Sequence, residues 1–82
     1  MMSDVDYLAS ILKGIVAFPE SIQIDRVVDE KGVLLNVTLD RSDMGKVIGR
    51  SGNTAKAIRI LMHAFGYAVR ATISVKILEP NN

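Results

Sequence analysis

The sequence contains no cysteine, and it lacks any apolar run approaching the roughly 18 residues that a membrane span needs. The absence of cysteine excludes disulfides and thiolate metal sites and is typical of proteins in a reducing compartment. The first residues carry no basic segment of the kind that begins a secretory signal peptide. These absences predict a soluble, cytoplasmic protein with no membrane partner.

Aromatic residues are also scarce, and the complete set is Tyr7, Phe18, Phe65 and Tyr67. None of them adjoins the glycine-containing segment near position 50, so stacking on aromatic rings is not the expected binding mode. The single histidine, His63, has no cysteine, second histidine or neighbouring carboxylate to complete a metal site or a catalytic triad. We therefore predict no enzyme activity, no cofactor, no metal and no small-molecule substrate.

The charges are distributed unevenly along the 82 residues, although the net charge is only +1. Residues 1–40 hold seven acids and three bases, whereas residues 41–82 hold seven bases and two acids. In one stretch with Asp43 as its only acid, the bases are Arg41, Lys46, Arg50, Lys56 and Arg59. A basic stretch of this kind favours binding to an anionic partner. The alternative is that these charges simply face solvent.

The apolar pattern predicts a helix and then a β-hairpin in the first half of the chain. Ser3 is placed to cap an amphipathic helix of about 14 residues, which Pro19 stops. A strand follows over residues 21–28, and its alternation is interrupted at positions 27 and 28, as at a β-bulge or a strand end. A turn at residues 29–32, with Gly32 supplying a positive φ, joins it to a regularly alternating strand over residues 33–39.

Two further helices and a third strand complete the predicted order α-β-β-α-α-β. A short helix, capped at position 40 or 42, ends at Gly49, and a longer helix starts at position 53 or 54 and is closed by Gly66. The predicted core face of the longer helix is Ile58, Leu61, Met62 and Phe65. The last strand spans residues 69–77, and residues 80–82 form a short tail after a single domain of residues 1–79. Three strands with helices on one face make an α+β two-layer sandwich.

The glycine turn, residues 49–52 with the sequence Gly-Arg-Ser-Gly, separates the second and third helices. Without a Cβ, Gly49 and Gly52 permit a positive φ and let another backbone approach closely. The helix after the turn directs its unpaired N–H groups and its positive dipole end toward it, and nearby cations complete an anion site. A nucleotide P-loop is excluded, because it needs four residues between its glycines, whereas three separate Gly45 from Gly49.

The segment Val-Ile-Gly-Arg-Ser-Gly at residues 47–52, followed by Ile58, resembles the signature of KH domains, in which a G-x-x-G turn joins two helices. The element order is similar to the type II, prokaryotic arrangement, because a type I domain would begin with a strand. Residues 44–49 and 54–59 look very similar to the KhpA family of small bacterial single-KH RNA-binding proteins, and the resemblance covers nearly the whole chain. It implies a type II KH fold and a grip on single-stranded RNA, as in an RNA chaperone or a post-transcriptional regulator.

The resemblance also assigns roles to individual residues. The glycines and N–H groups of the turn and helix start would hold the sugar-phosphate backbone, cations would neutralise phosphates, and two aliphatic side chains would form the floor of a groove for about four bases. The predicted RNA-binding residues are Lys46, Ile48, Gly49, Arg50, Ser51, Gly52, Asn53, Lys56, Ile58 and Arg59. Alternatively, Ile48 and Ile58 are ordinary residues of the hydrophobic core.

The alternative function is a KH-like protein-interaction module with weak or no RNA binding of its own. One candidate surface is Ile60, at the edge of the basic face of the longer helix. Another is the stripe of Tyr7, Ile11 and Phe18 on the far side of the first helix, unless it folds back into the core. The resemblance implies a homodimer, or pairing with a larger KH-containing partner of KhpB type. Because Arg50 is the one cation inside the turn, a second copy or partner domain would raise affinity through effective concentration.

Overall fold

The helices and strands follow the order expected from the sequence. The computed structural model describes residues 2–79, so the predicted tail at residues 80–82 lies outside the described residues. Within this range the helices and strands are α1 (Asp4–Lys13), β1 (Gln23–Asp29), β2 (Gly32–Thr38), α2 (Met44–Ile48), α3 (Asn53–Val69) and β3 (Ile73–Leu78). Short 3₁₀ turns lie at Pro19–Ser21, Arg41–Asp43 and Arg50–Gly52. The predicted α+β class and the order α-β-β-α-α-β are confirmed.

α1 is shorter than its apolar pattern predicts. The Ser3 hydroxyl accepts a hydrogen bond from the N–H three residues later at 3.0 Å, which confirms the predicted cap. The helix ends at position 13, well before Pro19, because Gly14, a poor helix former, takes the cap position and donates back to the last turn. The side chains that α1 buries are Leu8 and Leu12.

The apolar stripe on the far side of α1 mostly joins the core. The Tyr7 ring stacks on Phe65 of α3, with ring centroids 5.1 Å apart and planes inclined by 18°. Ile11 is half-buried against the core. Phe18 lies in the loop after α1 and is 46% exposed. Tyr7 and Ile11 are therefore engaged in packing within the chain, and Phe18 alone keeps a largely exposed ring.

β1 and β2 form the predicted antiparallel hairpin. Their register runs without a break from Gln23 opposite Thr38 to Asp29 opposite Gly32, so there is no β-bulge at positions 27 and 28. Gly32 has a φ of +132°, which confirms the positive φ expected there. Val28 faces the helical side of the sheet yet is 59% exposed, because the helices do not cover the hairpin end of β1. The sequence alternation breaks at this point since neither face of the strand is buried.

β3 lies parallel to β2 at the edge of a mixed sheet with the strand order β1-β2-β3. It begins at Ile73 and not at the predicted position 69, because α3 continues through Gly66 and ends at Val69. The prediction that Gly66 closes α3 is therefore wrong. Gly66 is buried inside the helix, where a Cβ would overlap the carbonyl oxygen of Ala71. The helix ends instead at Arg70, which takes the left-handed conformation with a φ of +58°.

One face of the sheet carries the core, and the helices pack on that face. Alternate positions of β2 are buried, as predicted, and they pack with side chains from all three helices. The predicted core face of α3 is confirmed at Ile58 and Met62 and in part at the half-buried Phe65. Leu61 is 42% exposed and lies outside the core, because the buried side of α3 is turned toward Ala55. Within residues 2–79, no helix has the length and apolarity needed to cross a membrane.

Asp43, the only acid in the basic stretch, is buried and connects two parts of the fold. Its carboxylate accepts hydrogen bonds from the N–H groups of Ala17 at 2.9 Å and Phe18 at 3.0 Å, both in the loop after α1. The Ala17 hydrogen bond, followed by those of Phe18 and the nearby Lys46, holds the pKa of Asp43 below its ordinary value despite burial. Asp43 therefore ties the start of α2 to the loop after α1.

Candidate nucleic-acid interface

The glycine turn links α2 to α3 through a series of uncommon backbone conformations. α2 ends at Gly49, which has a φ of +73° and donates to the carbonyl of Gly45 at 2.9 Å. Ser51 and Gly52 then take left-handed conformations, with φ values of +57° and +74°. A left-handed serine costs about 1 kcal/mol, so the surrounding structure holds the turn in a strained shape. α3 begins immediately afterwards with its N-terminal end at the turn, where the N–H groups of Gly52 and Asn53 donate to the carbonyls of Gly49 and Arg50.

The two glycines of the turn have different roles. A Cβ at Gly49 would overlap the side chain of Thr54, so packing inside the protein requires this glycine. A Cβ at Gly52 would meet no atom within 4 Å, so the space beside this residue is open. A ligand backbone can therefore approach closely at Gly52, whereas the sequence alone assigned that role to both glycines.

Cations surround the turn, and acids are absent from a long stretch of the chain around it. From residue 44 to residue 78 the sequence contains six lysines and arginines and no aspartate or glutamate. Arg50 in the turn and Lys56 in the first part of α3 are exposed. Lys46 lies 3.6 Å from the Asp43 carboxylate, with 54% of its side chain exposed, so part of its charge is neutralised within the protein. Arg50 and Lys56 are therefore the cations best placed for an anionic ligand.

A groove, which we call the α3–β3 groove, lies between the basic edge of α3 and the free edge of β3. The Nε of Arg59 donates to the carbonyl oxygen of Val75 at 3.2 Å and so joins the helix to the strand. The carbonyl of Thr72 accepts from β2, and backbone groups alternate in direction along a strand. The N–H and C=O groups of residues 73, 75 and 77 therefore face the free edge. This edge adds hydrogen-bonding groups to the cations of α3.

The two aliphatic residues predicted for the groove floor lie in different surroundings. Ile48, at the end of α2, is 40% exposed and available to a ligand, whereas Ile58 is only 2% exposed and belongs to the core. Ser51 and Asn53 are exposed beside Arg50. Every predicted binding residue except Ile58 is thus at least partly exposed.

The sequence alone identified neither the free edge of β3 nor the connecting role of Asp43. The sequence does contain a signal for the free edge of β3. Two helices join β2 to β3, and a connection of that length is typical of parallel neighbouring strands. No local signal marks the partners of Asp43, since Ala17 and Phe18 are 26 and 25 residues away and donate through the backbone. In the described part of the chain, no three His, Cys, Asp or Glu side chains are grouped to hold a metal ion.

The chain matches known proteins over most of its length. The family model described as KhpA/KhpB, KH domain, matches residues 5–77. The RNA-binding protein KhpA of Chlamydia caviae is 35% identical over 74 residues, which cover 90% of this chain and 95% of that protein. The protein of the same name from Leifsonia xyli subsp. xyli is 38% identical over 68 residues, or 83% of this chain and 90% of that protein. That of Mycobacterium leprae is 39% identical over 62 residues, or 76% of this chain and 78% of that protein.

These matches agree with the architecture. The matched region begins in α1 and ends in β3, so it contains every helix and strand described above. The mixed three-stranded sheet with helices on one face is a KH fold, and the resemblance predicted from the sequence is confirmed. The chain belongs to the KhpA/KhpB family of KH domains.

Proposed function

We propose that this protein binds single-stranded RNA, with the sugar-phosphate backbone held at the glycine turn and the bases in the α3–β3 groove. The observation that carries the proposal is the open backbone of Gly52, which lies between exposed Arg50 and the first N–H groups of α3. The relatives named RNA-binding protein KhpA support this class of ligand. The KH fold supports a grip on about four nucleotides.

The phosphate contacts follow from the charges and dipoles at the turn. The space beside Gly52 admits the RNA backbone. The N–H of Asn53 bonds to Arg50, so the N–H groups that follow it in the first turn of α3 are the ones that donate to phosphate oxygens. Arg50 and Lys56 neutralise adjacent phosphates, and Lys46 adds a weaker contribution because Asp43 competes for its charge. These contacts position the RNA without reading its sequence.

The base contacts lie in the α3–β3 groove. N–H and C=O groups at the free edge of β3 can pair with base edges, as an unpaired strand edge pairs with other hydrogen-bonding groups. Arg59 keeps further guanidinium donors besides the Nε that bonds Val75, and Ile48 offers exposed apolar surface. Because most contacts go to the backbone, we expect only modest sequence selectivity.

The salt dependence of binding tests this function directly. If Arg50 and Lys56 each neutralise one phosphate, affinity for single-stranded RNA falls by about sevenfold from about 50 mM to about 200 mM salt. Fluorescence anisotropy with a labelled pool of short RNAs measures this slope, and duplex RNA of the same composition is the control. Weak binding that does not respond to salt, or equal binding of the duplex, would contradict the proposal.

A specific observation favours self-association as a second property. On the outer face of α3, exposed apolar residues recur at helical spacing: Ala57, Ile60, Leu61 and Ala64. Ile60 is 62% exposed, and the exposure of Leu61 places a second large side chain on this face. The alanines allow a second helix to approach closely. We propose that this face packs against the same face of a second copy.

Ile60→Asp is expected to shift the protein from dimer to monomer, because it places a carboxylate at the centre of the apolar face. Sedimentation velocity measures the change in mass. Val27→Asp is the matched control, since Val27 is also an exposed aliphatic residue, 47% accessible, but lies on the sheet. If wild type and Ile60→Asp have the same mass, the outer face of α3 is not the interface between copies.

Association with a second RNA-binding domain also affects how strongly this protein can bind RNA. Arg50 is the one cation inside the turn, so the affinity of a single domain for RNA is limited. A second RNA-binding domain raises the overall affinity through effective concentration. We infer that action as an RNA chaperone or post-transcriptional regulator depends on a homodimer or on a larger KH-containing partner of KhpB type. The joint KhpA/KhpB description of the family supports this inference.

A further inference from the structure

Tyr67 is the most exposed large hydrophobic residue on α3, with 87% of the residue accessible. It follows Arg59 and His63 at intervals of four residues, so the three side chains lie along one edge of the helix, which turns by about 40° at each step toward the outer face that carries Ile60. This edge borders the α3–β3 groove, because Arg59 bonds to Val75 of β3. An aromatic ring therefore lies at the far end of the groove from the glycine turn.

Two open depressions adjoin Tyr67. A cavity of about 200 Å³ is lined by Tyr67, His63 and residues 71–73. A second cavity of about 300 Å³ is lined by Tyr67, Gly66, Arg70 and residues 71–72. Tyr67 is the aromatic residue common to both, and neither lining contains an acid. A flat ring thus has room to lie against the tyrosine.

Two polar side chains flank the tyrosine with the chemistry that a nucleotide requires. The imidazole of His63, one turn before it, can donate a hydrogen bond. Arg70 is exposed at the end of α3 and takes a left-handed conformation at a position where glycine is most common. Its guanidinium can bind a phosphate, which glycine could not do.

We propose that Tyr67, flanked by His63 and Arg70, forms a base-stacking subsite for an RNA nucleotide beyond those held at the glycine turn. The inference rests on the proposed RNA binding. Tyr67 follows Asn53 by 14 residues, which corresponds to about 21 Å along the helix. The turn holds about four nucleotides, so the subsite is assigned to a nucleotide that follows them. A tyrosine loses little conformational freedom on binding and stacks on any base.

The test compares Tyr67→Ala with wild type on oligoadenylates of four and eight nucleotides. Tyr67→Ala is expected to weaken binding of the eight-nucleotide RNA by about tenfold and to leave the four-nucleotide RNA unchanged. Tyr67→Phe is the matched control, because it keeps the ring, and it is expected to bind both RNAs like wild type. Because Tyr67 is highly exposed, Tyr67→Ala is expected to leave the fold intact, and the midpoint of thermal unfolding checks this.

A second measurement uses the absence of tryptophan and the presence of only two tyrosines. In a Tyr7→Phe variant, which keeps an aromatic ring against Phe65, Tyr67 is the only remaining tyrosine. The eight-nucleotide RNA is expected to quench its fluorescence, and the four-nucleotide RNA is expected to leave it unchanged. Equal quenching by both lengths, or by neither, would overturn the subsite.

The outcomes separate this inference from the proposed function and from self-association. Failure of wild type to bind either RNA overturns RNA binding itself. Normal binding of the longer RNA by Tyr67→Ala overturns only the subsite. Because Tyr67 follows Ile60 by seven residues, about two turns, and so lies on nearly the same side of α3, both variants are also combined. If Tyr67→Ala has no effect in the Ile60→Asp background, the ring acts in the contact between copies, and the subsite is overturned.

Discussion

Replacing Arg50 and Ser51 together by aspartate is expected to weaken binding of single-stranded RNA by about 100-fold or more, because the change removes a phosphate ligand and places two carboxylates against the RNA backbone. The fold should tolerate the change. Both residues are exposed, and Ser51 has a φ of +57°, a conformation that aspartate adopts more readily than most residues do. Fluorescence anisotropy measures the affinity, and the thermal unfolding midpoint verifies the fold.

A matched control keeps the total charge change and moves it away from the turn. Gln23→Asp with Lys31→Asp lowers the net charge by the same three units in β1 and in the hairpin turn, outside the segment that contains the glycine turn. It is expected to reduce affinity only slightly, since charges more than a Debye length from the RNA are largely screened. Equal losses in the two double variants would mean that binding depends on net charge, which would contradict a grip at the glycine turn.

Asp43→Asn is expected to lower the midpoint of thermal unfolding by about 10 °C. The carboxylate accepts hydrogen bonds from the N–H groups of both Ala17 and Phe18, whereas the amide has one oxygen and cannot accept both as well. One of the two N–H donors loses its partner, and the connection between α2 and the loop after α1 is weakened. Asp25→Asn, at an exposed carboxylate of β1, is the control and should change the midpoint little.

The pH dependence of unfolding provides a further check on Asp43. Its pKa in the folded protein is lowered, chiefly by the Ala17 hydrogen bond, so the charged carboxylate stabilises the folded state above the ordinary pKa. This stabilisation is lost as the pH falls below about 4 and through the lowered pKa. The stability difference between wild type and Asp43→Asn should therefore be constant near neutral pH and shrink under acid conditions. A difference that does not change with pH would contradict this role for the carboxylate.

Features set by local chemistry could be predicted from the sequence. Ser3 caps α1, Gly32 shapes the hairpin, and Gly49 ends α2, because capping and positive φ depend on the residue itself. The buried positions Ile58 and Met62 follow from helical spacing. These features were enough to predict the order of helices and strands and the position of the glycine turn.

Features set by distant contacts could not be predicted in the same way. Gly66 reads as the end of a helix, but the carbonyl of Ala71 packs against it and requires glycine inside the helix. Leu61 fits the apolar spacing of α3, but the core lies on the side of Ala55. Tyr67 is far from the turn in sequence, and only the path of α3 along β3 places it at the end of the groove. Each case depends on how one element lies on another.

The hydrogen bond between Arg59 and Val75 also has a consequence for solubility. β3 is an edge strand whose alternating side chains include Ile73, Val75 and Ile77, and an unpaired edge of this kind invites strand addition from another chain. Arg59 occupies the carbonyl at the middle of that edge and holds a charge beside it. The contact therefore opposes fibril-like strand pairing between copies at this edge of the sheet while the protein is free of ligand.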